Sequence, residues 1–248
     1  MKSVNTDVAY DYVRRRILSG EYPPGHALIT EGLSTATGVS RTPVRDALRK
    51  LEADGLVTIR AHAGASVKIM DLKEFKEMCD LRLALESHAA GLAAQYRNER
   101  DLAEMRHANS EMKRLTGAIL KKKSEEPLIS ELVREDVRFH IAIMTAARND
   151  LIKKEILRLH LINRVVSGQN GTDRATQTKA LRDVHRQEVL ESHNQILTAI
   201  EAGDAAGAKQ AMEHHIQDII DNRLSAMVGA ESGLITHELT DEELVYSP

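Results

Sequence analysis

Along the first seventy positions, short runs of apolar residues at helical spacing alternate with strong breakers. Val8, Tyr12, Val13 and Ile17 recur with that spacing over residues 5–19, and "SGEYPPG" at 19–25 stops the run, which predicts a first helix. A second, short helix is expected from about Thr30 to Thr37, closed by Gly38, a residue that readily takes the left-handed conformation of a helix exit. In "GVSRTPVRDALRKLEADGLV" (38–57), Ser40 is placed as an N-cap and Pro43 falls in the first turn, where its missing N–H removes no intrahelical bond. The third helix therefore starts at Arg41. At about 100° per residue, Val44, Leu48 and Leu51 share one stripe, while Arg41, Arg45 and Arg49, accompanied by Thr42, follow a neighbouring one. One face is core and the other is a cationic rail. Two β-rich runs follow, Leu56 to Arg60 and Ser66 to Ile69, around a Gly-bearing turn, and they read as a hairpin.

From Asp71 onward the pattern changes to long helical periods at 71–97, 99–121, 128–147, 150–167, 179–202 and 204–227. The breaks are "KKKSEEP", "RND", "SGQNGTD" and Gly203. Six such helices predict an all-α bundle. The lysine run 121–123 reads as a solvated helix end, where cations are favoured. The expected class is mainly α, with three domain-level parts: 1–70, a winged helix-turn-helix with a small β-hairpin wing; 71–228, an all-α bundle; and 229–248, an acidic tail.

Composition narrows the function. Residues 1–70 carry 10 Lys+Arg against 7 Asp+Glu, and the remainder 24 against 30, so a basic head precedes an acidic body. That asymmetry fits a nucleic-acid module joined to a sensing domain. Cys79 is alone, which excludes an intrachain disulfide and a cysteine-based zinc site. No apolar run is long enough to span a membrane and no signal peptide opens the chain, so a cytoplasmic location is expected.

The chemistry of the body lies in polar residues on apolar helix faces. Asp136 and His140 project at i, i+4 from the face of Ile129, Val133, Val137, Met144 and Ala147. His193 sits among Val189, Leu190, Ile196, Leu197 and Ile200, and His215 shares a stripe with Ala208, Ala211 and Ile219, whereas His214 points about 100° away. One carboxylate and three imidazoles turned inward need each other or a cation. They form a sound divalent-metal set, with imidazole suiting Zn, Ni, Fe or Mn, and Zn the first choice. Arg82 lies on the stripe of Met78, Leu85, Ala89, Leu92 and Tyr96. It reads either as an i, i+4 partner of Glu86 or as a planar fork for an effector carboxylate. Asn163, on the stripe of Ile152, Ile156, Leu159 and Val166, is expected to line the same cavity.

These stretches resemble a family. "SGEYPPGHAL" followed by residues 38–57 is similar to the winged helix-turn-helix of GntR-family transcription regulators. The resemblance implies that Arg41 and Arg45 reach operator bases or phosphates, that Thr42 and Arg49 assist, and that the wing near His62 and Gly64 touches the minor groove. A bidentate arginine–guanine contact is worth roughly 1–3 kcal/mol of discrimination. The chain departs from the family pattern at Ala65, where relatives often carry a basic residue, and at Glu31, where some use arginine. "DVRFH" at 136–140, "LRLALESHAAGLAA" at 81–94 and "ESHNQILTAIEAGDAAGAKQAMEHHI" at 191–216 resemble the FCD domain of the FadR-type branch. For residues 71–228 the resemblance implies effector binding and dimerisation. In metal-containing members it implies Asp136, His140, His193 and His215 as ligands. The function expected is that of a homodimeric operator-binding regulator, a repressor, controlled by a small organic acid at the metal site through the linker at 67–74. The alternatives are a metal-responsive regulator, an acyl-CoA responder and a metal-dependent enzyme acting on a small carboxylic acid.

Overall fold

A computed structural model describes residues 2–122, 125, 127–167 and 178–229, so Lys123, most of the predicted "SGQNGTD" break and the predicted acidic tail from 230 lie outside the described residues. The elements run α1 (Lys2–Leu18), α2 (Thr30–Thr37), α3 (Arg41–Ala53), β1 (Val57–Arg60), β2 (Gly64–Val67), α4 (Leu72–Tyr96), α5 (Glu99–Leu120), α6 (Leu128–Ala146), α7 (Asp150–Ser167), α8 (Lys179–Ala202) and α9 (Ala205–Gly229). Among the described residues no helix is long and apolar enough to cross a membrane. Two compact units are formed. One is built on Met1–Asp71 together with α7 from Leu157, and the other on Leu72–Ile156 together with α8 and α9.

In the first unit α3 packs on α1 and α2. Val44, Ala47, Leu48 and Leu51 are buried on one face of α3, against a core that includes Ala9, Val13, Ile17, Leu33, Leu56 and Val67. On α1 the buried stripe is Ala9, Val13 and Ile17, while Val8 is 45% exposed, contrary to the sequence expectation. Tyr12 is half-buried beneath the Arg16 guanidinium, 3.6 Å from its ring centroid. Ser40 occupies the N-cap of α3 with extended backbone, yet its side chain makes no cap hydrogen bond. Tyr10 ties α1 to the end of α3 by donating to Asp54 Oδ2 at 2.7 Å. Burial first, and then that bond, holds the phenol protonated well above its ordinary range.

β1 and β2 pair antiparallel from Val57↔Val67 to Arg60↔Gly64. The second strand thus begins two residues earlier than the sequence indicates, because Gly64 pairs with Arg60 instead of lying in the turn. Only Ala61, His62 and Ala63 connect the strands, and Ala63 N–H closes the turn on Arg60 C=O at 3.1 Å. The segment before α2 adds to the far edge of β2, with an isolated bridge Ala27↔Ser66 and a bond from Leu28 N–H to Ala65 C=O of 2.8 Å. This covers a strand edge that would otherwise be open.

In the second unit α4 packs against α9, α6 and α8, and α5 against α6 and α8. Phe139, Met105, Leu115, Ile119, Ile143, Ile196, Ile200, Met212 and Ile216 fill its core. The helix starts are fixed locally. α5 opens with a capping box in which Asn98 accepts from Asp101 N–H and Asp101 accepts from Asn98 N–H. α2 ends at Gly38 with φ 70°, the left-handed exit read from the sequence, and α8 ends at Gly203, expected as a break, with φ 74°.

Candidate functional site

The first unit presents a cationic face. Arg41, Thr42, Arg45 and Arg49 are all exposed on the side of α3 opposite its buried stripe. Arg41 Nη2 meets Glu31 Oε1 of α2 at 2.5 Å, and Arg49 Nη1 meets Asp46 Oδ1 at 3.3 Å, whereas Arg45 has no acidic partner among the described residues. At the wing tip His62 has φ 62° and Gly64 φ 87°. A positive φ is unusual for a histidine and ordinary for glycine, and His62 is exposed in this tight turn. Arg60 is exposed at the end of β1, opposite Gly64. Beside the glycine this chain carries Ala65, where relatives often have a basic residue. The cross-strand register is what places Arg60 there instead.

The second unit gathers three histidines from three helices. His140 of α6, His193 of α8 and His215 of α9 are 5%, 0% and 1% exposed. One nitrogen from each lies within 4.8 Å of the others. His193 Nε2 and His215 Nε2 are 3.3 Å apart, and Asp136 Oδ1 stands 3.6 Å from His193 Nε2. The three predicted histidines are therefore brought together, and Asp136, 40% exposed, stands beside His193 on the open side. His214 is 69% exposed and pairs with Asp218 at 3.6 Å, away from the cluster as its helical phase requires.

Burial, followed by the neighbouring His215 and His140 rings, pushes the His193 pKa well below its usual value. Burial also brings His215 down to about 4, with Glu86 opposing the shift. These two imidazoles are neutral near pH 7, the form that offers a lone pair to a cation. His193 Nδ1 is buried without a hydrogen-bond partner. Three imidazole nitrogens and one carboxylate fit a divalent ion.

A cavity of 140 Å³ opens beside the cluster, lined by Asp136 and His193 with Met112, Thr116, Val133 and Arg186 among others. Arg186 was missed in the sequence. Its signal was present, since 186, 189/190 and 193 lie at i, i+3/i+4 and i+7 on one face of α8. Its guanidinium is divided between Glu125 Oε2 at 2.8 Å and Asp183 Oδ1. Of the two side chains expected to meet an effector, Arg82 is buried with Nε on Glu86 Oε1 at 2.8 Å, and Asn163 belongs to the first unit. Neither lines this cavity.

The gntR family of bacterial regulatory proteins matches residues 5–67, and the FCD domain matches residues 77–218. The HTH-type transcriptional regulator LutR of Bacillus subtilis (strain 168) is 31% identical over 223 residues, which cover 83% of this chain and 94% of LutR. The Uxu operon transcriptional regulator of Escherichia coli (strain K12) is 28% identical, over 84% of this chain and 82% of its own length. Among solved structures, E. coli McbR/YncC shares the fold with a TM-score of 0.65 at 24% identity, covering 91% of this chain and 99% of that one. A gntR-type head on an FCD body, matched along nearly the whole of a curated regulator, places this chain in the GntR family of bacterial regulatory proteins, as a DNA-binding transcriptional regulator and not an enzyme.

Proposed function

We propose that the chain acts as a homodimeric repressor whose operator affinity is set by a small organic acid bound at a divalent metal ion. The carrying observation is the convergence of His140, His193 and His215, with Asp136 at its open edge. These four side chains would hold the ion, zinc first among the candidates, and the ion would supply a Lewis-acid anchor for a carboxylate or hydroxyl oxygen. A cavity of 600 Å³ adjoins Ser192 and His215, and the smaller one of 140 Å³ beside Asp136 and His193 suits a short-chain acid. Val133, Val189, Leu190 and Met112 form its apolar wall, and Thr116 contributes a hydroxyl. An acid entering there would compete with Glu125 and Asp183 for the Arg186 guanidinium.

On the DNA side, Arg41, Thr42, Arg45 and Arg49 would enter the major groove, with His62, Gly64 and Arg60 of the wing against the adjacent backbone or minor groove. A two-fold pair of heads would set the half-site spacing. The acid regulates by binding unequally to the DNA-competent and DNA-incompetent arrangements of that pair.

The test is metal analysis of protein purified without chelators or nickel resin, followed by operator binding across a panel of short carboxylic and hydroxy acids. About one ion per chain, lost in His193→Ala and His215→Ala, together with operator release by one acid, is expected. Wild-type protein that stays metal-free after loading would overturn the site, and release unaffected by every acid would overturn the effector class.

A further inference from the structure

Arg82 and Glu86 sit one turn apart on α4 with side chains 6% and 2% exposed, so a full ion pair lies inside the bundle. Burying two opposite charges costs several kcal/mol per ion before their attraction is counted, and an apolar pair of similar volume often serves stability as well. The arrangement of the carboxylate shows what the charge does here. Arg82 Nε donates to Glu86 Oε1 at 2.8 Å, while the second oxygen, Oε2, faces Nδ1 of His140 across the α4–α6 packing at 3.6 Å, an electrostatic contact longer than a hydrogen bond.

A neutral imidazole carries one N–H, and a carboxylate beside one nitrogen draws the proton to that side. The other nitrogen then keeps its lone pair. His215 is held on the same nitrogen by a direct hydrogen bond, since Ser192 Oγ lies 2.7 Å from its Nδ1 while its Nε2 faces His193. The contrast is His193, whose Nδ1 has no partner and whose ring is held by packing, with Phe139 at a centroid distance of 4.7 Å.

We infer that Glu86, clamped by Arg82, is a positioning residue for the histidine cluster: it holds His140 as the Nδ1–H tautomer and so presents Nε2 as its ligand atom. This rests on the metal reading given above and assigns the buried pair of the "LRLALESHAAGLAA" motif to the ion's outer shell. Arg82 then acts at one remove, by fixing Glu86. Outer-shell partners of this kind typically contribute 10–100-fold to metal affinity.

Two variants test the assignment. Glu86→Gln keeps the shape but leaves Arg82 without its charge partner, so Arg82→Met/Glu86→Gln, which removes both charges, is made beside it and its fold checked by circular dichroism. Two readouts are needed: imidazole nitrogen NMR of the metal-free protein, and zinc affinity by competition with a chromophoric chelator. The expected result is an Nδ1–H tautomer for His140 in the wild type, lost in both variants, with zinc bound roughly 10–100-fold more weakly although all four ligands remain. An Nε2–H tautomer in the wild type, or zinc affinity within about twofold of wild type in a folded double variant, would overturn the assignment while leaving the metal site standing. Wild-type protein that takes up no zinc removes the site, and the positioning role with it, whichever tautomer is seen.

Discussion

The two units carry their chemistry in opposite ways. In the winged helix the charged side chains stand in solvent on the back of a helix whose other face is core, and they meet at most one exposed acid each. In the bundle the three histidines and the Arg82–Glu86 pair are buried, come from four helices, and are held by one another. An exposed rail is built by one stretch of sequence and is separable from stability. A buried cluster is part of the core, so the same residues serve function and fold.

Four measurements sharpen or break that contrast. The largest expected effect is on the bundle. With metal at about a thousand times its dissociation constant, chelation should lower wild-type stability by about 4 kcal/mol and leave His193→Ala unmoved. Equal sensitivity of the two to chelator would show that the ion, if bound, sits elsewhere. Next, Leu51→Ala removes a fully buried side chain from the back of α3 and should cost about 3 kcal/mol. DNA binding should fail in that variant while zinc content is kept, and loss of both would break the comparison.

Arg45→Ala should weaken operator binding by about 2 kcal/mol, roughly thirty-fold, with the melting temperature unchanged. A change in melting temperature would mean that the rail is not independent of the core. The smallest effect concerns Glu31, which holds Arg41 by an exposed pair of the kind worth 0–1 kcal/mol. Glu31→Gln frees that arginine and removes a negative charge near the phosphates, so operator affinity should rise a few-fold at low salt and converge with wild type at high salt. A fall in affinity would instead make Glu31 a direct contact, for example as an acceptor for a cytosine amino group.

What could be read from the sequence follows the same division. The face of α3 was fully legible, because periodicity, proline position and charge all refer to one helix. So were the three histidines that the structure gathers, since polar positions framed by apolar neighbours on three long helices stand out. Cross-element details were not legible. Ala9 rather than Val8 faces inward, because α1 packs on α3 and both candidate stripes fit a 3.6-residue period. The wing register depends on Arg60 pairing with Gly64, a choice between strands that neither strand encodes alone. The hold of Glu86 on His140 and of Ser192 on His215 joins α4 to α6 and α8 to α9, and Arg186 finds its partner Glu125 61 positions away.

The turn between α8 and α9 consists of Gly203 and Asp204 alone. His193 and His215 lie 22 positions apart on either side of it, with their Nε2 atoms 3.3 Å from each other. Inserting one residue between either histidine and the turn would rotate that ring about 100° out of phase and shift it about 1.5 Å along the axis. Substitutions in this hairpin are graded in their effects, but a change of length is not. The short turn acts as a gauge, and the family's tolerance for insertions should end between these two histidines.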